Sequence, residues 1–222
     1  MLEKMDKFFE NRIDTYDEHM LNDIESADKF YPFTAEQLPM TKNSAVLDLG
    51  CGTGLELQFY FELNPTAHIT GIDLSKAMLE RLKSKFHGKN FNLIHASYFD
   101  ADFGDNIFDG AVSVESLHHF TKEEKIPLYK KLCKALKNGG SFVLTDYFAL
   151  SEDEEKAHFE ALAKLKAEQG ITDKDFYHYD TPLTVQHETE ALEEAGFSSV
   201  EILGNWGATY TLKANKCKGD LL

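Results

Sequence analysis

From Ala45 onward, short apolar runs alternate with segments whose apolar residues recur every three or four positions. That alternation is the pattern of a parallel sheet covered by helices on both faces. Ala45-Val46-Leu47-Asp48-Leu49 predicts a first buried strand that ends in the turn Gly50-Cys51-Gly52-Thr53-Gly54. Leu57, Phe61 and Leu63 predict the inner face of a helix stopping near Asn64-Pro65. A second strand is expected over 68–72, ending at Asp73, after which Ser75 caps a helix carrying Met78, Leu79, Leu82 and Phe86 at helical spacing. Strands over 91–95 and 108–114 flank a loop at 96–106.

Thr121-Lys122-Glu123-Glu124 has the form of a capping box, and Pro127 is expected to break the ladder, leaving a short first turn and a main helix over 127–136. Asn138-Gly139-Gly140 should end that helix, with a fifth strand over 141–145. Ser151 and the acids after it open another helix that closes near Gly170. A helix over 185–195, a strand over 200–203 and a last strand over 208–212 follow, and the short turn at 204–207 makes the final pair an antiparallel hairpin. In the first forty residues Phe9, Ile13, Tyr16, Met20 and Ile24 recur at spacings of four, three, four and four, one face of a single amphipathic helix. The expected fold is α/β, a doubly wound, mostly parallel seven-stranded sheet with a C-terminal antiparallel hairpin. Residues 1–40 are expected to form a helical lid on a Rossmann-like domain at 41–222.

Composition narrows the partners. The 222 residues carry 23 basic and 38 acidic side chains, a net charge of −15 that repels a phosphate backbone and disfavours long DNA or RNA. The N-terminus mixes charge into every turn, unlike a signal peptide, and no stretch approaches the ~18 apolar residues of a membrane span. A soluble cytoplasmic protein is expected. Cys51, Cys133 and Cys217 are far apart, with no CxxC pair to suggest zinc or redox chemistry, so reduced thiols and no metal are expected.

In an open parallel sheet, ligands bind beyond the carboxyl ends of the strands where strand order reverses, and the first glycine turn belongs there. Glycines can take positive φ and let a ligand approach the backbone. Asp73 lies 19 residues after Gly54 at the end of the second strand, where a carboxylate can accept both hydroxyls of a ribose. The dinucleotide fingerprint GxGxxG is not met, because the third glycine comes one residue early. That weakens a pyrophosphate reading.

With the run from Val46 to Gly54 in view, the sequence resembles the class I S-adenosylmethionine-dependent methyltransferases. Gly71-Ile72-Asp73-Leu74-Ser75, Asp105-Asn106-Ile107-Phe108-Asp109, Leu117-His118-His119-Phe120 and Leu136-Lys137-Asn138-Gly139-Gly140 extend the match in order over about residues 40–214. The resemblance implies S-adenosylmethionine as cofactor. The backbone of Gly50, Cys51, Gly52 and Gly54 would border its methionine end, and Asp48 would brace the loop or meet its ammonium. Asp73 would hold the ribose, and Leu74 and Met78 would wall the adenine. Ser97 and Tyr98 stand where the family often has an acid for the adenine amino group. Arg12 and Tyr16 are expected to close over the cofactor carboxylate.

The implied reaction is in-line transfer to a small-molecule acceptor, with the attacking atom ~3–3.5 Å from the methyl carbon. His118, at the mouth of the site, is the candidate base for a hydroxyl or ammonium acceptor, against a purely structural role for His118 or His119. The loop 115–120 and the cluster Asp175-Phe176-Tyr177-His178-Tyr179-Asp180 are expected to recognise the substrate, the latter as a lid over an aromatic or cationic one. The stretches around Thr181-Pro182-Leu183 and Ala195-Gly196-Phe197 also look like those of relatives that modify tRNA wobble uridine through a carboxylated cofactor. Two further classes stay compatible with these residues: a cofactor-binding protein without turnover, and a nicotinamide oxidoreductase.

Overall fold

The computed structural model describes residues 1–173 and 175–218, so the last four residues of the expected 41–222 domain lie outside the described ones. The N-terminal segment carries α1 (Met5–Arg12), α2 (Tyr16–Asn22) and α3 (Ala27–Glu36). Then follow β1 (Ala45–Leu49), α4 (Leu55–Leu63), β2 (His68–Asp73), α5 (Lys76–Lys85), β3 (Asn90–His95) and β4 (Phe108–Val114). The chain continues through α6 (Lys122–Ala135), β5 (Leu136–Tyr147), α7 (Glu152–Glu168), α8 (Val185–Glu194), β6 (Ser199–Trp206) and β7 (Thr209–Asn215).

The strands form one seven-stranded sheet in the order β3-β2-β1-β4-β5-β7-β6. β1 pairs in parallel with both β2 and β4, so the order reverses there, and a crevice opens at the carboxyl ends of these strands. β7 runs antiparallel to β5 and β6, as the short turn near Gly207 requires. Alternate residues of β1 serve opposite faces. Leu47 and Leu49 pack with Leu128, Tyr129 and Leu132 of α6, while Val46 packs with Phe30 of α3 and Leu57 of α4. Among the described residues, no helix is long and apolar enough to cross a membrane.

The N-terminal stripe does not form one rod. Phe9 packs with one face of the sheet, whereas Tyr16, Met20 and Ile24 pack with the other. A straight helix could not reach both, and the chain breaks between Arg12 and Tyr16 as it crosses above the strand ends. α3 has no counterpart among the expected elements, and Pro32 lies inside it; burial of Phe30, Tyr31, Thr34 and Ala35 holds the helix together across the missing N–H. Pro127 is likewise accommodated within a continuous α6, contrary to the expected break. Deep burial of Leu128, Tyr129 and Leu132, each contributing about 1.5–3 kcal/mol, offsets a proline cost of ~3 kcal/mol. The capping box at Thr121 is present, with its side chain accepting from Glu124 N and Glu124 accepting from Thr121 N. α6 ends at Ala135, and Asn138-Gly139-Gly140 belongs to β5 instead of closing the helix.

Candidate functional site

The crevice at the reversal holds a narrow cavity. Gly50, Gly52, Asp73, Leu74, Met78, Ser97 and Tyr98 line it from the sheet side, and Tyr16 closes it from above. Gly50 has φ +72°, and a Cβ there would lie 2.1 Å from Ser116 Oγ, so only glycine fits. At Gly52, with φ +47°, an added Cβ would meet nothing closer than the Tyr16 hydroxyl at 3.7 Å; the space beside this glycine belongs to the cavity.

Asp73 ties the turn to the next helix. Its Oδ2 accepts from Gly52 N and its Oδ1 from Ser75 N, both at 2.8 Å. Each oxygen keeps a free lone pair, so the carboxylate can still accept two hydroxyl donors. Burial pushes its pKa up to about 6, against the pull of those two N–H donors. The turn itself has few donors to offer. Gly50 N and Cys51 N both bond Ile72 O, Gly52 N bonds Asp73, and Gly54 N bonds Cys51 O. A pyrophosphate cradle needs free N–H groups, and this turn has used most of its own. The carboxylate diol site and the glycine-lined space beside it fit the adenosyl and methionine parts of S-adenosylmethionine better than a dinucleotide.

Other expected site residues lie elsewhere. Asp48 is buried behind the turn and does not line the cavity; its Oδ2, like Oε1 of Glu56, has no hydrogen-bond partner. Burial and the mutual repulsion of these two carboxyls raise the pKa of Asp48. Cys51 points at Gly71, and Gly54 takes the left-handed conformation that starts α4. Arg12 reaches the neighbouring cavity instead of the narrow one. Its guanidinium lies 3.7 Å from the Phe8 ring centroid and pairs with Glu3 at 3.1 Å. Ser97 Oγ accepts from Phe99 N, and the Tyr98 hydroxyl donates to Ser116 O, so both polar tips have local partners.

A wider, open cavity adjoins the first, and Phe9, Tyr16, Glu115 and His119 line both. His118 lies in its wall. Asp146 stands 2.5 Å from His118 Nδ1 and also accepts from Leu117 N, while Asp180 lies 3.5 Å from Nε2. Burial opposes charge on this ring, but the two carboxylates outweigh it and hold the pKa well above the usual histidine value. His119 has the opposite environment: burial and the neighbouring His118 charge push its pKa well down. Its Nδ1 donates to Tyr179 O at 3.1 Å. The segment carrying Tyr179 is stapled to the N-terminus by Met5 N to Phe176 O and His178 N to Glu3 O, and Phe8 stacks on His178.

Sequence reasoning does not single out Glu115 or Asp146. Glu115 has φ +48°, uncommon for a residue with a side chain, and burial raises its pKa to about 8. No local pattern signals that backbone. Asp146 sits 28 residues from His118 and meets it only because β4 and β5 pair in parallel.

Residues 46–140 match the family model of a methyltransferase domain. The chain is 29% identical over 117 residues to the O-methyltransferase rstn1 of Aspergillus nomiae, covering 51% of each chain. It is 25% identical to the carboxy-S-adenosyl-L-methionine synthase of Nautilia profundicola, covering 97% of this chain and 96% of that one. The crystal structure of human N-acetylserotonin methyltransferase in complex with SAM shares the fold, with TM-score 0.63 at 18% identity, over 95% of this chain and 55% of that one. The match thus takes in about half the length of the Aspergillus and human proteins. Residues 46–140 are thus similar to a methyltransferase domain, and the fold is the one the human methyltransferase structure shows.

Proposed function

We propose that this protein transfers a methyl group from S-adenosylmethionine, held in the narrow cavity, to a small-molecule acceptor in the wider one. The observation that carries this reading is the meeting of the two cavities at Tyr16, Glu115 and His119, directly beyond the glycine turn. The bound sulfonium supplies the methyl group and is itself the leaving group. The chain's own residues have three tasks. Asp73 fixes the ribose, Gly50 and Gly52 admit the cofactor against the backbone, and Leu74 and Met78 wall the adenine with apolar and soft thioether surface. Tyr16 and Phe9 exclude water from the junction, and alignment of acceptor and methyl group in this confined space lowers the barrier. His118 faces the acceptor, on the side where a hydroxyl or ammonium acceptor would release its proton.

α1 and α2 act as a cover in this reading. They are held by Arg81 to Asp14, Lys85 to Asp17 and Thr53 to Asp17 contacts, which have to loosen for the cofactor to exchange. Hydrogen exchange checks the cover: protection of residues 5–22 should rise when cofactor is added, and equal protection would leave a fixed structural element.

The near full-length alignment with a carboxy-S-adenosyl-L-methionine synthase favours a second reading, in which the cofactor is carboxylated. A carboxylate carried on the sulfonium calls for a cationic partner; no lysine or arginine lines the narrow cavity among the described residues, and Arg12 lines the wider one into which that group would project. Incubation with S-adenosylmethionine and a panel of small methyl acceptors, and in parallel with a panel of small carboxylic acids as carboxyl donors, tests the choice. Release of S-adenosylhomocysteine with a methylated product is expected; a cofactor that binds but never turns over would leave a binding protein, and formation of carboxylated cofactor would select the second reading.

A further inference from the structure

We propose that His118, His119 and Asp180 form a site for one divalent transition-metal ion of the zinc class, in the wall of the wider cavity. Asp180 Oδ1 lies 3.4 Å from His119 Nδ1 and 3.5 Å from His118 Nε2. Those separations are long for N–H···O hydrogen bonds. They are close to the ~3.3 Å between two donors that share a tetrahedral ion at ~2.0–2.1 Å. The three donor atoms all fall within 4.8 Å of one another.

The surroundings favour the same ligand. Asp146, 2.5 Å from His118 Nδ1 and itself fixed by Leu117 N, leaves Nε2 as the nitrogen turned toward Asp180. A carboxylate behind a ligating imidazole orients the ring and raises its basicity. All three donors line the wider cavity, so an open coordination position faces the space where an acceptor oxygen, nitrogen or a water can enter. Glu18, Asp23, Glu25 and Asp180 lie in that lining, where Arg12 is the one arginine and no lysine is found among the described residues. Two imidazoles and one carboxylate suit zinc, nickel or iron(II) rather than magnesium or calcium. Binding makes His119 Nδ1 give up its 3.1 Å bond to Tyr179 O, with the ring proton carried on Nε2 instead.

With the ion bound, His118 Nε2 is a ligand and not a proton acceptor, and metal uptake is measured without any turnover. The full chain, stripped with a chelator, is titrated with zinc chloride by calorimetry and with cobalt(II) by visible absorption. One ion per chain and the d–d bands of a low-coordinate cobalt site are expected. Asp180→Asn, a near-isosteric change at a half-exposed position, and His119→Ala should each weaken binding at least tenfold. Asp146→Asn should weaken it about 10–100-fold. His187→Ala, which removes a histidine paired with Glu155 away from this cluster, should bind like the unmodified chain. Absence of stoichiometric zinc uptake by the unmodified chain, or uptake unchanged by Asp180→Asn, would overturn the proposal.

Discussion

The two cavities that meet at Tyr16 are built in different ways. The narrow one rests on backbone for about half of its wall: three consecutive strand-end segments, around Gly50, Asp73 and Ser97, form its floor, and Asp73 is already bonded within those turns. The wider one is shaped by side chains brought from far apart, Phe8 and Arg12 from the N-terminus, His118 from the loop after β4, Asp180 from the segment before α8 and Trp206 from the last hairpin. In the proposed reading the cofactor is met by the part where a side chain at Gly50 would collide with its neighbours. The acceptor is met by the part that substitution can reshape without touching the sheet.

The largest expected effect breaks the backbone side of this contrast. Gly50→Val would place a branched Cβ on Ser116 at a positive-φ position, and cofactor binding should fall below detection in calorimetry while far-UV dichroism keeps the α/β signature. Asp73→Ala comes next. It removes charge-assisted acceptors from the ribose, a loss of about 1.5–3 kcal/mol, or roughly 10–150-fold in Kd.

The same carboxyl sharpens the comparison through pH. Its pKa is raised to about 6, so cofactor affinity should decline as the pH falls through that value and the carboxylate is neutralised. For the free fold the sign is opposite. The folded chain holds this proton more tightly than the unfolded one, so the carboxyl's contribution to stability is full below the ordinary carboxyl range and is lost as pH rises through about 6. Asp73→Asn should flatten both profiles. The smallest effect is on the other side: Trp206→Ala, in the wider cavity and packed on Phe33, should leave cofactor Kd within about twofold while weakening whatever acceptor is used.

Much of the sheet is legible in the sequence because its strands are continuous apolar runs. Ala45–Leu49 and Phe108–Val114 fall where hydrophobicity alone puts them, and Thr121 and Ser151 cap the helices that follow them. Pro127 misleads. Local chemistry at Pro127 argues for a break, and tertiary burial of the residues beside it prevails, as it does beside Pro32 in α3. The N-terminal stripe has the right period but cannot reveal that its two halves serve opposite faces of the sheet. Within the site, the glycine turn and Asp73 form a short local pattern, so they are visible. The grouping of His118 with Asp146 and Asp180 depends on strand pairing and on a long return of the chain, neither of which leaves a trace in spacing.

The central claim is that the narrow cavity between the glycine turn and Asp73 holds S-adenosylmethionine. Calorimetric titration of the full chain with S-adenosylmethionine, repeated with NAD and with the Asp73→Ala variant, tests it directly. The expected result is one site per chain for S-adenosylmethionine, no heat from NAD, and at least tenfold weaker binding in the variant. Saturable binding of NAD, or S-adenosylmethionine affinity unchanged in a folded Asp73→Ala chain, would contradict it.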